Sequence, residues 1–301
     1  MRTPVPDHDE WYEEAHDIPR PNWTLFDDWI TTEADADLFD QAWDDVATNW
    51  MHRISSALND EYRVAESPNF LLLSPHNESE CLLMLTRAER THTRITVLLE
   101  DLCAIHFGRV SVLRFSEPDH YRRYVSFHTW QDDTAALTSG MFLPGGYPHI
   151  VCLSHGHEEF QRTLSHELAH FYTSHLPWPT WLSEGIAMSM ESEGRNIHLP
   201  DRDDLARHRA YWNAESVQDF WSGASWGQAN AGFSLSYGLA AEIFDALQKK
   251  HQRSPEAFRA FLREAHRRDA GAEAAKRHLG MDLGDLVEDF LGPGEWSPQP
   301  W

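Results

Sequence analysis

Every apolar run short enough to be a buried strand falls between residues 69 and 153 of this 301-residue chain; beyond residue 158 the apolar residues recur almost wholly at helical spacing. Residues 69–73 (Asn-Phe-Leu-Leu-Leu) read as a buried strand stopped by Ser74-Pro75, and residues 110–115 as a second. Two more, 139–143 and 149–153, flank the turn signal Gly145-Gly146. A long helix is expected over about 78–105 and another from Pro118. Ser254-Pro255-Glu256 marks a later helix start, with a capping Ser and Pro at the first helical position. Strands followed by helices predict an α+β fold with a small mixed sheet, not a doubly wound one.

Apolar residues make up 41% of the chain, enough for a substantial core, while the formal net charge is −23. So strong a negative field repels phosphate backbones, which argues against a nucleic-acid partner and otherwise serves solubility. The first 66 residues hold 17 acidic and 4 basic side chains. Within them, residues 7–29 are rich in Pro, Trp and acid without a period, and are expected to form a wrapped or disordered extension. From Asp37 to Leu58 the residues Leu38, Phe39, Ala42, Trp43, Val46, Trp50, Met51 and Ile54 recur three and four apart, an amphipathic helix. The expected division is an acidic extension over 1–62, a main domain over 63–293 and a tail over 294–301. Cys81, Cys103 and Cys152 show no CxxC spacing and read as small buried apolar residues, which fits a reducing compartment. With no signal-peptide pattern and no run of some 18 apolar residues, a cytoplasmic protein without a membrane span is expected.

The chemistry concentrates at His166-Glu167-Leu168-Ala169-His170. On a helix, residues four apart share a face, so both imidazoles can reach one zinc at roughly 2.0–2.1 Å. Glu167 then stands beside a metal-activated water as general base. Phe160, Leu164, Leu168 and Phe171 are apolar enough to seat the helix in a core. Zinc needs a third protein ligand, and Glu184 offers one among Trp181, Leu182, Ile186 and Ala187, where an unpaired carboxylate would be costly. His175 is the alternative third ligand. Three protein ligands and a water are the composition of a catalytic zinc site; a structural one uses four and favours Cys.

HELAH followed by Pro179-Thr180-Trp181-Leu182-Ser183-Glu184-Gly185-Ile186-Ala187 resembles the gluzincin metallopeptidases, particularly the bacterial peptidase-MA-like domain. Weaker similarity extends over about residues 65–292, including Ser236-Tyr237-Gly238-Leu239-Ala240 and the segment His278 to Phe290. The resemblance implies a zincin-like fold, with an edge strand and a mostly helical C-terminal half carrying the HExxH helix. It assigns zinc (Zn2+) to His166, His170 and Glu184 and the base role to Glu167, and nominates Tyr237 as oxyanion stabiliser; a Tyr packed in the core is the competing reading. Zincins pair an extended substrate with the edge strand, here Gly140-Met141-Phe142.

The sequence departs from relatives of that family. The linker between His170 and Glu184 is short. Met188 stands where thermolysin-like enzymes place an Asp that orients a zinc histidine; Glu191 and the His155/His157 pair are candidate substitutes, but each reads more readily as a solvated polar residue. The edge strand lacks the Glu with which aminopeptidase-N-like enzymes hold a substrate amine. The expected function is therefore zinc-dependent hydrolysis of a peptide or protein substrate, endopeptidase over aminopeptidase. Two alternatives stand beside it: a zincin-fold protein acting in binding or regulation without proteolysis, and an acidic interaction protein with a purely structural zinc.

Overall fold

The computed structural model describes residues 8–15, 18–58, 61–104, 106–128, 138–154, 156–191, 202–228, 230–252 and 254–300. The chain divides into two compact units, Met1–Arg94 with Ala104–Phe171, and Ile95–Cys103 with Tyr172–Trp301.

The first unit opens with a two-stranded antiparallel hairpin, β1 (Tyr12–Ala15) and β2 (Ile18–Pro21), followed by helices α1 (Trp23–Glu33) and α2 (Phe39–Leu58). Then come β3 (Arg63–Glu66), β4 (Phe70–Ser74), α3 (Glu78–Leu99), β5 (Val110–Phe115) and α4 (Pro118–His128). The hairpin β6 (Gly140–Leu143) and β7 (His149–Leu153) leads into α5 (His157–Thr173). Five strands form one mixed sheet in the order β3-β4-β5-β7-β6. The three central strands are parallel, and the edges β3 and β6 run antiparallel to their neighbours. Parallel neighbours need a crossover connection, which α3 supplies between β4 and β5. Central burial explains why Phe70–Ser74 and Val110–Phe115 are buried at every position and read as continuous apolar runs.

The four expected strands are present within a residue of their expected bounds. Three elements go beyond the sequence reading. Edge strand β3 has the pattern Arg-Val-Ala-Glu and little apolar signal. The hairpin β1–β2 and helix α1 occupy the acidic stretch expected to lack regular structure. Helix α1 starts at Asn22, whose side chain accepts from the Leu25 amide, and it buries Phe26 and Ile30 completely against Ala42 and Val46 of α2. Trp11 packs edge-on against Phe26 (centroids 5.0 Å apart), Trp29 joins the same cluster, and Trp23 stacks on Tyr147 at 5.8 Å. These anchors hold the acidic segment to its own unit, whose main core also takes Ile18 from β2 and Trp50, Met51 and Ile54 from α2. The long helix α3 stops at Leu99 rather than near 105, giving way to a 3-10 turn at Glu100–Leu102 in which Glu100 adopts φ +50°.

The second unit is helical in its described residues: α6 (Thr180–Glu191), α7 (Arg202–Tyr211), α8 (Ser216–Ser222), α9 (Ala231–His251), α10 (Pro255–Glu264) and a closing helix Leu283–Leu291. Ser254 is the N-cap of α10 with Pro255 in its first turn. Helices α6 and α9 cross at Gly185, where a Cβ would fall 2.8 Å from the Ala240 carbonyl oxygen. The architecture is mixed and α+β in class. Among the described residues no helix is long and apolar enough to cross a membrane.

Candidate metal centre

Helix α5 carries His166, Glu167 and His170. Phe160, Leu164, Leu168, Ala169 and Phe171 are at most 2% exposed, so one side of the helix is fixed by burial. The three polar residues are half-buried. The four-residue spacing brings the His166 and His170 Nε2 atoms to 3.1 Å, with ring centroids 4.8 Å apart. Two ligands of one tetrahedral zinc stand roughly 3.3 Å apart. The imidazole pair fits that requirement.

Glu167 reaches the sheet edge. Its Oε2 accepts a 2.8 Å hydrogen bond from the Phe142 amide of β6. The hydrogen bond from the Leu153 amide to the Ser139 carbonyl sets the ladder register, so the Phe142 amide points away from β7. The helix lies close to the strand: a Cβ on Gly140 would come 2.2 Å from Thr163 Cγ2 and 3.4 Å from Glu167 Cγ. The Phe142 and Phe171 rings meet edge to face at 5.6 Å. Glycine at 140 is thus what lets α5 approach β6 and sets the carboxylate against it. The sequence offers Gly140, Met141 and Phe142 as an edge strand, and among the described residues β6 is the last strand of the sheet. Nothing in the sequence signals that Glu167 binds this strand's outward amide.

In the second unit, Glu184 is half-buried on α6. The helix is seated by Trp181, Leu182, Ile186 and Ala187, none of them exposed, and by a 2.9 Å hydrogen bond from the Trp181 indole to the Ala270 carbonyl. Tyr237 is half-buried on α9, its ring edge-on to Phe233 (5.4 Å) and Trp226 (6.2 Å).

Within the first unit, His166 and His170 form one pair of imidazole donors, and a second group among the described residues, His76, Glu80 and His157, has a donor set able to hold a metal ion. The second group is not legible in the sequence. His157 is readable only as an orienting partner for the HExxH histidines, whereas its Nε2 lies 3.2 Å from Glu80 Oε1. His155 lies outside the described residues. The only local signal is Asn77-x-x-Glu80, a helix-start pattern that says nothing of a histidine 77 residues beyond Glu80.

A third histidine cluster is structural. His149 is fully buried on β7, between the Tyr124 hydroxyl (2.8 Å) and the Tyr147 carbonyl (2.7 Å). Burial, with the neighbouring His128 second, pushes its pKa down to about 3, so it stays neutral as a hydrogen-bonding core residue.

The sequence matches no protein-family model and no curated protein.

Proposed function

We propose that this chain is a zinc-dependent metallopeptidase of zincin-like fold, with His166, His170 and Glu184 as zinc ligands and Glu167 as general base. The observation that carries this reading is the convergence of the His166 and His170 Nε2 atoms at 3.1 Å, with the intervening Glu167 turned to the open edge of the sheet. Zinc, when bound, supplies Lewis acidity that polarises a carbonyl and makes water nucleophilic near neutral pH.

The chain's own residues do the rest. The outward edge of β6 offers backbone groups to an extended peptide, and Gly140 keeps the strand and α5 in close register. Glu167 takes the proton of the attacking water and delivers it to the leaving amine. For the Phe142 amide to pair with substrate, Glu167 must release it; the substrate strand and the carboxylate exchange places at that donor. Tyr237 is the candidate donor to the oxyanion. With Gly140, Met141, Phe142 and Leu143 the strand holds no acid to capture a terminal amine, which favours endopeptidase over aminopeptidase action. The free thiols Cys81, Cys103 and Cys152 support a reducing, cytoplasmic compartment.

A second reading rests on the same 3.1 Å distance, which also suits an N–H···N hydrogen bond between neutral imidazoles. On that reading the protein is a zincin-fold binding or regulatory protein without proteolysis. Zinc analysis separates the two. The peptidase reading expects His166→Ala and His170→Ala each to lower bound zinc by about one equivalent per chain. Unchanged zinc content in both variants would sink the ligand assignment.

A further inference from the structure

We propose that His76, Glu80 and His157 form a second, separate site for a divalent transition-metal ion of the zinc class. All three residues lie in the first unit and are half-buried, and one potential ligand atom from each falls within 4.8 Å of the others. His157 Nε2 and Glu80 Oε1 are 3.2 Å apart, close to the roughly 3.3 Å between two ligands of one tetrahedral ion. The His76 and His157 rings meet edge to face with centroids 5.3 Å apart.

The donors are oriented by partners behind them. Glu80 Oε2 accepts the Asn77 amide at 3.1 Å, while Asn77 Oδ1 accepts the Glu80 amide at 3.0 Å. This reciprocal cap fixes the carboxylate with Oε1 towards His157. His76 Nδ1 lies 3.2 Å from Ser74 Oγ, a fully buried hydroxyl that also accepts the His76 amide. That contact occupies Nδ1 and leaves Nε2 to ligate, as the outer partners of metal-bound histidines commonly do.

Arg114 narrows the choice of ion. Its guanidinium is fully buried, with hydrogen bonds to Met84 Sδ and to the carbonyls of Ser154 and Gly156, so it does not compete for Glu80 as an ion-pair partner. Its charge still opposes a second cation, which weakens the site for ions held by charge alone. Two imidazoles and one carboxylate favour zinc, cobalt or nickel over calcium or magnesium. Bound metal would join the β4–α3 loop, the first turn of α3 and the first residue of α5. It would thereby clamp the start of the helix that carries His166 and His170.

The test uses the full chain, stripped with a chelator and titrated with zinc. In a His166→Ala/His170→Ala variant one equivalent of zinc should still bind and raise Tm. Adding His157→Gln, or separately Glu80→Gln, should weaken that binding at least tenfold. Glu80→Gln serves as the conservative variant, because the amide oxygen can still accept from Asn77 and keep the cap. Failure of the peptidase reading leaves a different signature: the unsubstituted chain then binds a single zinc, insensitive to His166→Ala and lost with His157→Gln. The proposal is overturned if the folded His166→Ala/His170→Ala variant takes up no zinc. Zinc affinity unaffected by both Glu80→Gln and His157→Gln would overturn it equally.

Discussion

Helix α5 bears histidines at two places, and they come to their partners differently. His166 and His170 are four residues apart on one helix, so a single turn of hydrogen-bonded backbone sets their 3.1 Å approach. His157 meets His76 and Glu80 only because the sheet brings the end of β4 and the start of α3 beside the start of α5. The first arrangement is local and survives small shifts in tertiary packing. The second depends on three segments holding position together, so loss of core support should weaken it first. Glu167 lies between the extremes: its place on α5 is local, but its bond to the Phe142 amide depends on how closely the helix approaches β6.

The largest expected disturbance of this contrast is removal of residues 1–35. That deletion takes Ile18, Phe26 and Ile30 out of the first unit, each at most 5% exposed, and burial of such a side chain contributes about 1.5–3 kcal/mol. Stability should fall by several kcal/mol, read as a lower urea midpoint, and zinc binding that depends on His157 should weaken more than zinc binding that depends on His166. An unchanged midpoint would mean that the acidic segment is an appendage. Higher peptide turnover after the deletion, partly mimicked by added salt, would instead show the segment competing with substrate.

A smaller effect separates the local pair from Glu167. Gly140→Ala forces a methyl against Thr163 and should cost about 1–3 kcal/mol. Turnover should fall while zinc at His166 and His170 is kept, because the helix moves from the strand without altering its own spacing. Thr163→Ser removes the obstructing methyl, so the double variant should recover both stability and turnover. Failure of that rescue would show that the close approach at Gly140 is not what positions Glu167.

The same contrast explains what the sequence reveals. HELAH and the apolar residues around Glu184 are legible because helix periodicity alone fixes which side chains share a face. The central strands are legible because burial on both faces demands unbroken apolar runs. Strand β3 is hidden because an edge strand needs no such run, and Arg63 and Glu66 mask the two apolar residues between them. The β1–β2 hairpin is hidden because its support is tertiary: the Trp50 indole donates to the Pro19 carbonyl, and Ile18 packs into the main core. Phe26 and Ile30, four apart behind a capping Asn22, are the signal that could have found α1. The His76, Glu80 and His157 group has no periodic signature, since nothing local relates residues so far apart.

If Glu167 is the base of the proposed zinc-dependent hydrolysis, Glu167→Gln removes that base and little else. The substitution keeps size and shape, and the amide oxygen can still accept from the Phe142 amide. Turnover of an unstructured polypeptide and bound zinc would be measured on the same preparation. Zinc content should equal that of the unsubstituted chain, with turnover lower by roughly 10²-fold or more. Equal turnover in the two proteins, at equal zinc content, would contradict that role for Glu167.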